Sequence, residues 1–324
     1  MSRIYNLLPD KKLNNDTFQN GLKLKYQAFA VADLPSSIDL RNYFMSTGYI
    51  APVIDQGSLG SCVACAVSTA FQFCDKDWSP SKLFIYYNCR LLDGSINVDA
   101  GTTISQSMNA LYRYGACSEL NWPYLIPKWN FLPPVNCYAE GLEHQTIDYY
   151  NVEQTHLQLK GCIASGYPFV FGFWVYESFE SSTTTLTGVM TMPQPTERML
   201  GGHAVICIGY DDIRRVWICQ NSWGERWGDR GYFYMPYEYL DDTKNLATDV
   251  WKIVRVETTS DAPPVTPQDI IDIVPIVTPP EVITPINYRP QFKIKPKLKT
   301  ELVPEDKLFS DTENKKKLIS KILS

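Results

Sequence analysis

The sequence predicts an α+β fold of two lobes, a helical first half and a strand-rich, barrel-like second half, with a site in the cleft between them. Three observations carry this. Apolar residues recur at three- and four-residue spacing through Val63, Ala66, Val67, Ala70, Phe71 and Cys74, and again through Ile104, Met108, Leu111 and Tyr112. Runs of β-branched and aromatic residues crowd the second half, at Pro168–Phe173, Val205–Ile208, Val216–Cys219, Tyr232–Met235 and Val250–Val256. A chain of 324 residues with 44% hydrophobic content can bury one large core or two lobes.

Residues 1–33 are polar with scattered apolar positions and stand ahead of this pattern. The run Asp55-Gln56-Gly57-Ser58-Leu59-Gly60-Ser61-Cys62 leads into the first helix, expected over 62–74. Gly60 or Ser61 ends the loop and caps the helix, which puts Cys62 in the first turn. There, unpaired backbone N–H groups and the positive end of the helix dipole favour a thiolate. Further helices are expected near 80–89 and over 103–114. Gly101 precedes the second of these, as a plain turn or as a backbone contact for an extended ligand. In the second half, Gly201-Gly202 lead into a buried strand with His203 at its mouth. Val216–Gln220 is the next strand and delivers Asn221 at its end. A hairpin across Tyr210–Arg215 would bring His203 and Asn221 to the same end of the sheet.

These residue types make a set. A cysteine nucleophile needs a base to ionise it, a group to orient that base and donors for the oxyanion, and Cys62, His203, Asn221 and Gln56 supply all four. An Asn oxygen accepting from one imidazole nitrogen turns the other toward the sulfur. Trp223, beside Asn221, can shield that hydrogen bond from water. Cys62-Val63-Ala64-Cys65 also matches a thiol-redox motif, but such a motif explains none of Gln56, His203 and Asn221. His144 and His156 lie in a polar stretch with no matching ligands and read as solvated surface rather than a metal site.

Together these residues resemble the papain-like cysteine peptidases, the family that includes the cathepsins. The match runs from Leu34 to Glu257. Leu34–Arg41 looks like the start of the mature enzyme, Trp122-Pro123-Tyr124 like a mid-chain landmark, and Gly202–Val205 and Asn221–Gly224 with Trp227-Gly228 and Gly231-Tyr232 complete it. The resemblance implies Cys62 as nucleophile, His203 as its ion-pair partner and acid, Asn221 as orienter, and Gln56 with the Cys62 N–H as oxyanion hole. It implies acyl transfer to sulfur and then hydrolysis of the thioester. It also implies contacts to a peptide from Gly101, Gly202 and Trp223. Leu59 and Val63 depart from the family pattern: Leu59 removes one expected disulfide and leaves Cys89 free, and Val63 removes an aromatic beside the nucleophile. Residues 1–33 read either as a short pro-segment lying along the cleft or as an N-terminal arm packed on the enzyme. Two other readings stand beside the peptidase: an idle papain-fold scaffold that binds peptides or inhibits proteases, and a thiol acyl transferase or modifier-removing enzyme.

Composition narrows the partners. A formal charge of −5 gives no reason to expect nucleic acid or an anionic membrane. No cofactor or metal is called for, and the expected partner is a protein or peptide substrate. An odd count of nine cysteines without a paired framework points to a reducing compartment. The N-terminus lacks an apolar core for secretion, so a cytosol, or a particle made there, is the expected location. The peptidase domain is expected over 34–259. Beyond it, 260–324 is a proline-rich, then lysine-rich extension, read as an extended strap without regular helix and then a solvated or docking tail of unknown partner.

Overall fold

The computed structural model describes residues 5–8, 34–41, 52–240, 242–257 and 265–274. The chain divides into two units, Met1–Pro263 and Pro264–Ser324.

In the first unit, helix α1 (Cys62–Cys74) is buried on nearly every side, from Cys62 to Gln72, so its apolar residues face neighbours all round rather than along one stripe. It packs on α2 (Lys82–Leu92) and α3 (Ile104–Tyr114). Ser81 and Thr103 cap those two helices, their side chains accepting from the N–H of Phe84 and Gln106. Gly115, at φ 64°, stops α3 in a conformation that side-chain-bearing residues resist. Three shorter helices were not legible in the sequence: α4 (Val135–Leu142), α5 (His156–Ala164) and α6 (Ser182–Thr187).

The strand-rich half is one antiparallel sheet. Its strands are β1 (Ser37–Asp39), β2 (Thr146–Asn151), β3 (Phe169–Tyr176), β4 (Met199–Asp211), β5 (Val216–Gln220), β6 (Tyr232–Pro236) and β7 (Ala247–Val256). They run in the order β2-β7-β3-β4-β5-β6, with β1 added to β4. The two-lobed α+β fold is therefore as expected. Among the described residues, however, the sheet is open between β2 and β6 rather than closed into a barrel. The expected hairpin joins β4 and β5, with Cys207 opposite Cys219 and Ile206 opposite Gln220. α1 lies across β4, which sets the start of that helix against the strand carrying His203.

The expectation of a solvated surface is corrected for His144. His144 is buried, not solvated; its ring stacks on Trp78 with centroids 3.4 Å apart, and burial lowers its pKa. His156 opens α5 and packs against Trp217 and Tyr237. No cluster suited to a metal ion occurs among the described residues. Cys89 is free and buried, as are most of the nine unlinked cysteines.

In the second unit, the strap expected without helix contains one, α7 (Pro267–Ile273). Pro267 stands in its first turn, where the missing N–H is no loss, and Thr266 and Asp269 close a capping box. The rest of the extension lies outside the described residues.

Candidate active site

The loop before α1 is built around Gln56. Its backbone N–H donates to Ser222 O (2.9 Å) and its carbonyl accepts from the Tyr124 hydroxyl (2.9 Å). Its side chain is fixed at both ends: Oε1 accepts from Ser222 Oγ at 2.6 Å, and Nε2 donates to Leu59 O at 3.0 Å. One N–H of that amide is thus used to hold the loop. The other is available to an oxyanion, the role expected of Gln56.

Ser61 occupies the cap position of α1 but does not cap it with its side chain. Its hydroxyl pairs instead with the Tyr124 hydroxyl at 2.5 Å. The first-turn N–H groups are therefore not taken by the cap. Ala204, next to His203, and Asn221 line one small cavity with Cys65 and Ala66 of α1. The fold thus brings the later half of the chain against the helix that Cys62 opens.

His203 lies four residues inside β4 and not at its mouth. Its Nε2 is 2.8 Å from Asn221 Oδ1, and the same oxygen accepts from the Ser222 N–H at 2.8 Å. The Ser222 N–H fixes that atom as the amide oxygen, so Nε2, facing an acceptor, carries the proton. Trp223 covers the pair, its ring 4.9 Å from the imidazole centroid to centroid, backed by Phe179 and Trp227. Phe173 closes the other side at 5.8 Å. Both His203 and Asn221 are almost fully buried.

The cleft is filled by the chain's own residues 5–8. Leu7 N–H donates to Gly202 O (3.0 Å), and Leu8 N–H donates to Thr102 O (3.2 Å), so a short strand bridges the strand-rich and helical halves. Asn6 Nδ2 donates to Asp99 O at 2.7 Å. The Tyr5 ring sits edge-on to His203 and Trp223 at 6.3 and 6.1 Å, and its hydroxyl donates to the Glu180 carboxylate. Leu7 is 5% exposed. Glycines make room for this strand. A Cβ on Gly172 would stand 2.4 Å from a Leu7 methyl, and one on Gly101 would stand 1.6 Å from Asn6 O. Of the three residues expected to touch a peptide, Gly101, Gly202 and Trp223, all lie against this strand. Ser222, Tyr124 and Asp99 join the site too; Ser222 and Tyr124 lie in the motifs Asn221–Gly224 and Trp122-Pro123-Tyr124, but no local chemical pattern gives their roles.

The expected thiolate is not what the covered site favours. Burial pushes the Cys62 thiol up to about 11, although the N–H groups of Ala204, Val63, Cys62 and Asn6 pull it back down. Removing the strand has two opposed effects: it readmits water and takes away the Asn6 N–H. Burial is the larger cause, so the pKa should fall. Alkylation of Cys62 by iodoacetamide is expected to rise with pH through about 11 in the full chain. In a chain carrying Leu7→Asp the midpoint should move lower. A full-chain rate already level at neutral pH would contradict this.

The description "Papain family cysteine protease" matches residues 34–250. An uncharacterised peptidase C1-like protein of Acanthamoeba polyphaga mimivirus is 40% identical over 217 residues, spanning 63% of this chain and 70% of that one. Cathepsin J of Mus musculus is 26% identical over 215 residues, 63% of this chain and 62% of its own length. Among solved structures, xylellain, a cysteine protease from Xylella fastidiosa, aligns with a TM-score of 0.68 and 35% identity over 78% of this chain and 96% of that one.

Proposed function

This chain belongs to the papain family of cysteine proteases, and from that premise we propose that it hydrolyses peptide bonds at Cys62 and is held silent by its own residues 5–8. The observation that carries the catalytic reading is the His203–Asn221 hydrogen bond of 2.8 Å on the strand that packs against the helix opened by Cys62. Sulfur gives its proton to Nδ1 and attacks the carbonyl carbon of a bound peptide. The oxyanion is met by the Cys62 N–H and the second N–H of Gln56. His203 then protonates the leaving amine, and water, deprotonated by the same imidazole, releases the acid from the thioester. Asn221 keeps the ring in the tautomer this sequence needs.

The substrate is an extended chain. Residues 5–8 support this reading, adding to the edge of β4 at Gly202 while touching Thr102 opposite. Yet that strand is placed for binding rather than for cutting. The Asn6 carbonyl oxygen lies against Gly101, and that of Tyr5 lies against Gly201, so both are turned to the glycines of the cleft. An enzyme made in this state is a zymogen, released when the strand leaves.

A peptidyl epoxide tests the reading. The chain carrying Leu7→Asp is expected to take up one label, at Cys62, and to cleave denatured protein under reducing conditions. A folded chain that is neither labelled nor active would reject it.

A further inference from the structure

We propose that Asp99 is a positioning residue for acyl transfer, its carboxylate setting the loop that carries both oxyanion donors. The proposal rests on the protease reading above and adds a part of the machinery to it. Gly60, two residues before the nucleophile, donates its N–H to both carboxylate oxygens of Asp99, each at 3.1 Å. The adjoining residue, Leu59, holds the Gln56 amide through its carbonyl at 3.0 Å. Cys62 follows at the start of α1. A displacement of Gly60 therefore moves the Gln56 donor through Leu59 and the Cys62 N–H through Ser61.

Asp99 is itself held from behind. Arg90, fully buried on α2, donates to Ile96 O at 2.9 Å, to Val98 O at 3.3 Å and to Trp129 O. Its guanidinium lies 4.1 Å from the ring centroid of Tyr86, one helical turn earlier on the same face. The Tyr86 hydroxyl donates to Asp99 Oδ1 and accepts from the Gly101 N–H at 3.2 Å. Two interior side chains of α2 thus fix both the carboxylate and the rim glycine beside it. The main-chain oxygen of Asp99 meanwhile takes Asn6 Nδ2, so the same residue faces the occupant of the cleft. Where Leu59 rules out the expected covalent tie, a charge-assisted hydrogen bond reaches the next residue along.

The test uses the full chain bearing Leu7→Asp as parent. Asp99→Ala is expected to lower kcat by about 10- to 100-fold, below the loss from deleting a donor outright, with little change in KM. Iodoacetamide displacement at Cys62 needs no oxyanion hole, so its rate should stay at the parent's. Asp99→Asn keeps an oxygen facing the Gly60 N–H and should restore most of kcat. Tyr86→Phe should lose activity to an intermediate degree and gives a second reading if Asp99→Ala does not fold. Several results would overturn the proposal: kcat unchanged in Asp99→Ala, equal losses for Ala and Asn, alkylation falling in step with kcat, or Tyr86→Phe at parent activity. A parent that labels at Cys62 but cuts nothing removes the protease reading and this proposal together. A parent that cuts, beside an unimpaired Asp99→Ala, removes only this one.

Discussion

Replacing Cys62 by alanine is expected to lower peptide turnover by about four to six orders of magnitude, the scale on which nucleophile removal acts in hydrolases of this design. The measurement belongs in the chain carrying Leu7→Asp, so that the cleft is open. No other group can stand in for the sulfur. Cys65 is the nearest alternative thiol, but it is buried, its thiol is pushed up to about 12 by that burial, and it contacts Ser61 Oγ at 3.9 Å. Its carbonyl takes hydrogen bonds from Ser68 and Thr69, as a core helix residue's would. Cys65→Ala should therefore leave turnover near the parent's and cost about 1 kcal/mol of stability. Equal loss in both variants, each still folded, would favour the two-thiol redox reading over the protease.

The second large effect is a gain. Leu7→Asp in the full chain should raise turnover about 100-fold or more. Burial of a leucine contributes roughly 1.5–3 kcal/mol, and an unpaired carboxylate in its place opposes the seat by a comparable or larger amount, while each 1.4 kcal/mol is tenfold. The result separates the two readings of residues 1–33. If the segment is a packed arm, the variant loses stability and gains no activity; if it is an inhibitory strand, activity rises and a shared melting transition is kept.

Much of this site could be read from the sequence, because its chemistry depends on residue type and order. Gln56, Cys62, His203 and Asn221 stand out by type and order, and α1 and the β4–β5 hairpin follow from periodicity that burial enforces. The errors have physical causes. Paired glycines suggest the entrance to a strand, whereas Gly201 and Gly202 lie inside β4, where they leave room for Tyr5 and Leu7 to approach the backbone. Proline density hid α7, because composition does not distinguish a first-turn proline from one that breaks a helix. Sequence reasoning favours a thiolate at Cys62 because the helix-start effect is local, while the burial that pushes its pKa up comes from the whole fold. Asp99 was invisible for the same reason: a carboxylate bonded across 39 positions leaves no local pattern.

The two halves of the catalytic apparatus are anchored unequally. His203 belongs to a strand laddered to β3 from Met199 to Cys207 and to β5 from Ile206 onward, whereas Gly57–Ser61 hang on a handful of side-chain hydrogen bonds. Warming such a molecule loosens its least-secured part first. The enzyme should thus fall silent below its melting temperature, with the imidazole still in place and the oxyanion left without its donors.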